Sequence, residues 1–594
     1  MLRIIGGTLA LLFPLFTGIM PAPEGPRPGT SAARVPAAVL YDTIRTDLHA
    51  YSWPMRTSRA MTSSFGEYRT THFHAGMDIS TGDTIGLPVI AARSGYVARV
   101  TISANGYGKL LYIHHPDGYT TTYAHLFGFP DWLQTAVHEE QMRQGCYPIE
   151  VDFDPGRFPV AAGQVVAFAG ESGSGSAHLH FEIRDENNNT INPLLTSGIS
   201  ITDDLFPVYR GAMFVPLTPN ARVNGDHAID RIAVHEQRSG VFTLKGTPTV
   251  AGAVGIAVDV RDRSNLSRFL HGFHHLRFFV DGAQVMGVTY DRVPLHDGNQ
   301  IRLVYVRDPS IRSREHFHKL YIDTYHRLPI FPGFGPGSGI IQTDRMTPGV
   351  HGFRVECEDF NGNIAVLTGS FRTEPSVPSQ PAAALPPGTF HVDPDAAGSI
   401  RPDGVPVTIS YDPGSVFSPV DISVENLDDP DEHGVDVEPH GFPLDGGFRF
   451  RLRVPPDRRH TGAYTRSGGE SWSFQSRIEP DSAGMATVTL RRFLGDIALL
   501  EDAVPPSIFA VSVSSSDPKS SISFRFRDNL SGVEYKEVMV YIDGIMVIPE
   551  IDGEHRRATA QPLSPLAKGT HRLTIHVSDH MGNMASVERQ FHVR

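Results

Sequence analysis

Residues 349–371, GVHGFRVECEDFNGNIAVLTGSF, return 220 positions later as GTHRLTIHVSDHMGNMASVERQF, residues 569–591. His351, Asp359, Gly362, Asn363, Ala365 and Phe371 recur as His571, Asp579, Gly582, Asn583, Ala585 and Phe591. Each copy runs through alternating apolar residues into an Asp/Gly/Asn cluster and out into a second run, which reads as strand, tight turn and strand. A two-stranded hairpin cannot bury its own apolar face, so each copy must close a larger layered unit, as at the end of a β-sandwich. A looser echo precedes both, FFVDGAQV near 281 and YIDGIMV near 543. At least two sandwich-like modules therefore flank a middle segment. At roughly 150 residues per domain, 594 residues allow about four domains. The 57 Gly and 46 Pro favour turn-rich β architecture over helical bundles.

The net charge of -13, without a Lys/Arg cluster that would track phosphates, argues against nucleic acid. The two cysteines, Cys146 and Cys357, fall in regions read as different domains, so neither a disulfide nor a thiolate metal site is expected. The N-terminus, MLRIIGGTLALLFPLFTGIMPAPEGPRPG, places one Arg before an apolar run that ends in Pro and Gly. This is a signal-peptide pattern over 1–22, followed by a linker over 23–50. Pro14 and the glycines disfavour a permanent span, and no Cys follows the run to carry a lipid. The expectation is an exported protein of the periplasm or cell envelope, with no stable membrane span after signal removal.

Between 51 and 200 strand-like runs follow one another: LPVIAARSGYVARVTI, KLLYIHH, YTTTYAHL, QVVAFAG and HLHFEIR. One interruption, the insertion 128–159, contains PDWLQTAVHEEQMRQGC. Pro130, Gly145 and the pairs Trp132/Leu133 and Ala136/Val137 predict a helix there. Further on, 205–373 reads as a β-sandwich module, 374–388 as a Pro-rich linker, 389–500 as a third β module and 505–594 as the last sandwich.

Within the first region, SGSAHLHFEIR puts His178 and His180 on one face of a strand and Leu179 on the other. Upstream, HFHAGMDIS puts His74, Gly76 and Asp78 on one face if extended, with Gly76 leaving space between the other two. His125 stands at the end of TTTYAHL. Neutral imidazole nitrogen and carboxylate oxygen are zinc donors, so His74, Asp78 and one histidine of the later pair make a three-ligand set. Such a set leaves a fourth position for water or substrate.

HAGMDI, NGYGKLLYIHHPDGYTTTYAHL, PVAAGQVVAFAGESGSGSAHLHFEIR and INPL, in that order, resemble the LytM/lysostaphin-type zinc metallopeptidases, which cleave peptide bonds in bacterial peptidoglycan. The resemblance covers about residues 60–196. It implies that His74, Asp78 and His180 bind one Zn2+ per chain and that His125 and His178 are the catalytic imidazoles. It also implies a compact antiparallel β peptidase domain of the duplicated hybrid motif type, with a groove across one sheet. The whole chain is then all-β, this domain being followed by two to three immunoglobulin-like β-sandwich modules.

The implied reaction is hydrolysis in a peptidoglycan stem peptide or cross-bridge. Zinc activates the water, one histidine acts as general base and a second, protonated, stabilises the oxyanion. Which of His125 and His178 takes which role is left open. Tyr68 is either a further donor to the oxyanion or a packed aromatic, and Glu182 either faces the groove or forms a structural ion pair. His72 and His114 read as supporting or surface residues, and Asn105 with the GYG of 106–108 as turn chemistry. The insertion is expected to wall or lid one end of the groove, against the alternative of a solvent-facing excursion. Two further readings stand beside the hydrolase. One is a non-catalytic wall-binding regulator or activator of another hydrolase. The other is an adhesion protein whose C-terminal modules engage an envelope partner.

Overall fold

The computed structural model describes residues 51–308, 311–312, 314–376, 385–429, 432–456, 460–466, 471–514 and 520–593. The expected signal peptide (1–22) and linker (23–50), and residues 377–384 of the later linker, lie outside them. Strands dominate, as the alternating patterns require, and nearly all their pairings are antiparallel. No helix among the described residues is long and apolar enough to cross a membrane.

The first region is built on one sheet whose strands run, in spatial order, Met61–Ser63, Met77–Ser80, His178–Arg184, Thr120–Ala124, Lys109–His114, Gly95–Ile102 and Ile149–Asp152. Period-two alternation divides the central strand. Leu179, Phe181 and Ile183 are fully buried in the core with Met77, Ile79 and Tyr123, while His178, His180 and Glu182 share the other face. The antiparallel register sets His180 directly opposite Asp78 on one side and Ala124 on the other. A second sheet of Pro88–Ile90, Val165–Ala169 and Leu126–Gly128 packs on this frame.

The insertion forms the predicted helix, Asp131–Gln144, with Pro130 at its start and left-handed Gly145 closing it. Leu133, Val137 and Gln141 are buried, whereas Trp132, expected beside Leu133, is exposed. The chain then adds Ile149–Asp152 as the sheet edge remote from His180. Tyr147 of the insertion donates to Glu550 Oε1 at 3.2 Å, joining the insertion to the C-terminal module.

Residues 208–374 pack two sheets over a core that includes Phe214, Ile256, Phe278, Val355 and Phe371. Phe65 and Phe73 of the first region are inserted in that core. The strand Arg292–Pro294 pairs with Asn189–Ile191, so the two regions share a hydrogen-bonded sheet. Residues 389–501 form a six-stranded and a four-stranded sheet over a separate core, and 507–593 two four-stranded sheets.

The repeat is structural. His351 Nδ1 and His571 Nδ1 lie 2.6 Å from Asp281 and Asp543 respectively, in the two DG turns of the sequence echo. Their Nε2 atoms lie 2.7 Å from the carbonyls of Thr347 and Ala567. The two cysteines are free and buried.

Candidate active site

Three of the five expected groups converge. His74 Nε2 lies 3.1 Å from Asp78 Oδ1 and 3.0 Å from His180 Nδ1, and His180 Nδ1 lies 2.8 Å from Asp78 Oδ1. All three residues are buried. A tetrahedral ion with bonds of roughly 2.0–2.2 Å has ligand-to-ligand edges only slightly longer than these.

The hydrogen-bond partners fix which atoms face inward. His74 Nδ1–H donates to the Ser64 carbonyl at 2.8 Å, leaving Nε2 with its lone pair. His180 Nε2–H donates to Glu182 Oε1 at 2.8 Å, leaving Nδ1 with its own. With both rings neutral, these two nitrogens and Asp78 Oδ1 make three converging lone pairs, an arrangement that calls for a positive charge, a metal ion or a proton. The donor set is therefore suited to a divalent metal.

The cluster favours positive charge. Burial pushes the Asp78 carboxyl up, but His74 and His180 outweigh it and hold the group well below the usual carboxylate range. Burial pushes the His180 imidazole down, but Asp78 and Glu182 outweigh it and raise the group to about 9. Burial also acts against the Glu182 carboxylate, which Arg184 and His180 keep ionised, well below its ordinary value. Glu182 is fully buried, receives Tyr107 OH at 2.7 Å, Thr122 Oγ1 at 3.1 Å and Arg184 Nε at 2.5 Å, and so anchors the ring of His180. On the other flank, Glu67 accepts Ser64 N and Ser63 Oγ at 2.5 and 2.7 Å. Burial opposes its charge, but His271 and Arg69 bring it down to about 2.

The remaining two imidazoles face each other with ring centroids 4.6 Å apart. His125 Nδ1 donates to Ser172 O at 3.0 Å and His178 Nδ1 to Ser176 O at 2.9 Å, which leaves Nε2 of each ring outside those bonds. His178 Nε2 is 3.7 Å from Asp78 Oδ1. Burial pushes both imidazoles down, His125 to about 3 with His178 adding to the effect. His125 has a left-handed backbone, φ 58°, which breaks the strand after Ala124.

Several sequence readings need correction. Gly76 does not make space between His74 and Asp78: a Cβ there would lie 2.2 Å from the Phe181 carbonyl oxygen, so the glycine admits the neighbouring strand. Tyr68 is a packed aromatic, 4.9 Å from the Tyr305 ring and 4.2 Å from His316. The phenol at the cluster is Tyr107, in the stretch read as a turn. Its ring centroid is 5.4 Å from that of His180. Gly106 and Gly108 are both left-handed, and a Cβ at Gly108 would lie 2.1 Å from Ser172 O, so the turn is a close loop-to-loop contact that aims Tyr107 inward. Glu182 is a structural ion-pair partner that also braces His180. His72 and His114 stand outside the cluster.

The C-terminal region reaches the loops that carry these groups. Gly553 N donates to Ala104 O at 3.0 Å, Asn105 Nδ2 lies 3.4 Å from Tyr535 OH, and Lys109 Nζ contacts Glu550 at 2.5 Å. Any Cβ placed on Gly175, in the loop before His178, would lie 2.3 Å from Glu554 Oε2.

Residues 72–135 match the model of peptidase family M23. The lipoprotein NlpD of Yersinia enterocolitica is 32% identical over 109 residues, 18% of this chain and 88% of that protein. The chain belongs to peptidase family M23. The murein hydrolase activator NlpD of Escherichia coli is 30% identical over 149 residues; the match takes in 25% of this chain and spans 31% of that relative's length. Among solved structures, the catalytic domain of the prophage-encoded M23 protein EnpA from Enterococcus faecalis is similar at 24% identity. The similarity covers 24% of this chain and 95% of that one, with a TM-score of 0.19. The M23 match takes in His74, Asp78 and His125 and ends before His178 and His180.

Proposed function

We propose that the protein is an exported zinc metalloendopeptidase of the cell envelope that hydrolyses peptide bonds in peptidoglycan stem peptides or cross-bridges. One observation carries this reading: His74 Nε2, Asp78 Oδ1 and His180 Nδ1 present three lone pairs to one point, with two further imidazole Nε2 atoms beside it. His74, Asp78 and His180 would hold one Zn2+, which supplies a Lewis acid and an acidified water for attack on the scissile carbonyl. Glu182 and the Ser64 carbonyl keep the two ligand rings in the required tautomers. Between them, His125 and His178 accept the proton of the attacking water and donate to the oxyanion that develops on the substrate. Residues 51–200 carry this chemistry, and the modules 205–373, 389–500 and 505–594 are spacers and contact surfaces around it.

A second reading is favoured by the relatives, which include proteins named as murein hydrolase activators. There the same cluster binds a metal and the groove engages a partner enzyme.

Digestion of isolated peptidoglycan by the zinc-loaded protein, followed by mass spectrometry, separates the two. The peptidase releases fragments with new peptide termini unaided. Zinc bound at one per chain with no fragment released, but faster release by an added wall hydrolase, would establish the activator.

A further inference from the structure

Two clusters of three acidic residues share no residue with the histidine cluster and occupy equivalent places in the two repeated modules. The first joins Asp203, Asp262 and Asp359; the second joins Asp502, Asp528 and Asp579. In each, the first aspartate stands in the chain segment entering a sandwich, four residues before Pro207 or Pro506. The second directly follows a strand, Ala253–Arg261 or Ser521–Arg527, in the echoes RDRSNLS and RDNLS. The third opens the Asp-x-x-Gly-Asn turn of the repeat.

The supporting bonds repeat as well. Asn363 Nδ2 donates to Asp203 O at 3.3 Å and to Asp359 Oδ2 at 2.7 Å, while Asn583 Nδ2 donates to Asp502 O and Asp579 Oδ2, both at 2.8 Å. The asparagine thus ties the entering segment to the hairpin turn in both modules.

The charges, by contrast, are left unmatched. Asp262 is 2% exposed, yet its Oδ1 lies in the cluster without a hydrogen-bond partner, and Asp528 Oδ1 is orphaned in the same position of the second. No Lys or Arg forms an ion pair with any of the six carboxylates among the described residues. The remaining acidic group, Asp436, His440 and Asp496, differs, because Arg466 pairs with Asp496. In each cluster two of the three aspartates are buried and the third, Asp203 or Asp528, is half-buried; carboxylates gathered so closely are costly unless a cation joins them.

We propose that each cluster is a calcium site, so that the chain binds two Ca2+ ions, one where each repeated module joins the chain before it. Oxygen-only donors select a hard cation, and three carboxylates supply most of the oxygens Ca2+ takes. Zinc, by the same logic, belongs to the histidine cluster. The first ion would also fix the chain around Asp262, whose backbone pairs with that of His271 at 3.0 and 2.9 Å. His271 Nδ1 in turn lies 3.7 Å from Glu67, beside His74. The proposal stands whether the groove cleaves or only binds.

Equilibrium dialysis of the zinc-loaded full chain against radioactive calcium tests it. Wild type binds two ions per chain, Asp262→Asn and Asp528→Asn one each, and the double variant none. Asn keeps the shape and removes the repulsion, so without calcium either variant melts no lower than wild type, and its melting no longer responds to calcium. No calcium bound at up to about 10 mM overturns the proposal, since weak extracellular sites already fill at about 1 mM. A variant that still binds two ions, or that melts lower than wild type without calcium, overturns the assignment for its site.

Discussion

The histidine cluster of the first region and the aspartate cluster at Asp262 both gather three donor groups, all buried in the first and two of three in the second, and they differ in how the surroundings treat them. In the histidine cluster, the rings of His74 and His180 each have their outer nitrogen bound to an acceptor, Ser64 O or Glu182 Oε1, and Glu182 is itself held by Tyr107, Thr122 and Arg184. At Asp262 a carboxylate oxygen is left without a partner, and the asparagine braces hold backbone to side chain. The first arrangement fixes which ring nitrogens face inward and leaves two more imidazoles at hand, which suits chemistry. The second offers only negative charge, which suits holding two pieces of chain together. Donor type then decides the cation, imidazole nitrogen favouring zinc and carboxylate oxygen calcium.

The contrast can be broken in steps. His180→Ala removes a ligand, and zinc content should fall to near zero with peptidoglycan cleavage lost at least about a thousandfold; calcium binding should not change. His125→Ala or His178→Ala should keep one zinc per chain while turnover falls by about 10²–10⁴. Equal zinc loss in these variants would instead make them ligands. Glu182→Gln keeps the volume and removes the charge behind His180, and zinc affinity, read by competition with a chromogenic chelator, should drop about 10–100-fold. Tyr107→Phe removes one of the bonds holding Glu182 and should cost about tenfold at most in the same assay.

The smallest expected effect is on stability. His318 is fully enclosed, with Nδ1 2.7 Å from Lys319 O and Nε2 3.0 Å from Tyr290 OH, and burial lowers it to about 4. His115 is likewise lowered to about 4 by burial. The unfolded chain takes up these protons near pH 6.5 and the folded chain does not. Stability is therefore full above that pH and is lost as pH falls towards about 4. Each group should cost on the order of 1–2 kcal/mol by pH 5. Thermal scans at pH 7 and pH 5 measure this, and His318→Gln should flatten part of the difference.

The candidate site's histidines were legible because strand alternation fixes faces: HLHFEIR dictates that His178 and His180 share one, and the resemblance supplied the rest. What alternation cannot tell is what comes from the other side of a loop. Tyr107 was hidden between two glycines whose left-handed backbones match any turn, and only the contact with Ser172 reveals that this turn aims a phenol. Gly76 was correctly singled out for the wrong reason, since the atom it avoids belongs to a strand about a hundred residues later. The insertion's helix was readable from Pro130 and Gly145, but its position at the remote sheet edge depends on a pairing with Gly95–Ile102 that local sequence does not encode. The repeat exposed Asp359 and Asp579 as recurring residues. Their partners Asp203 and Asp502 lie at different spacings, so the clusters emerge only once the chain is folded.

The most direct test measures zinc content and peptide release together in wild type, His180→Ala and His178→Ala, on the same peptidoglycan preparation. One zinc per chain and new peptide termini in wild type, zinc and cleavage both gone in the first variant, and zinc kept with cleavage gone in the second would establish a zinc peptidase with separate ligand and catalytic histidines. Cleavage that persists in His180→Ala, or a wild-type chain that holds zinc and releases nothing, would contradict it.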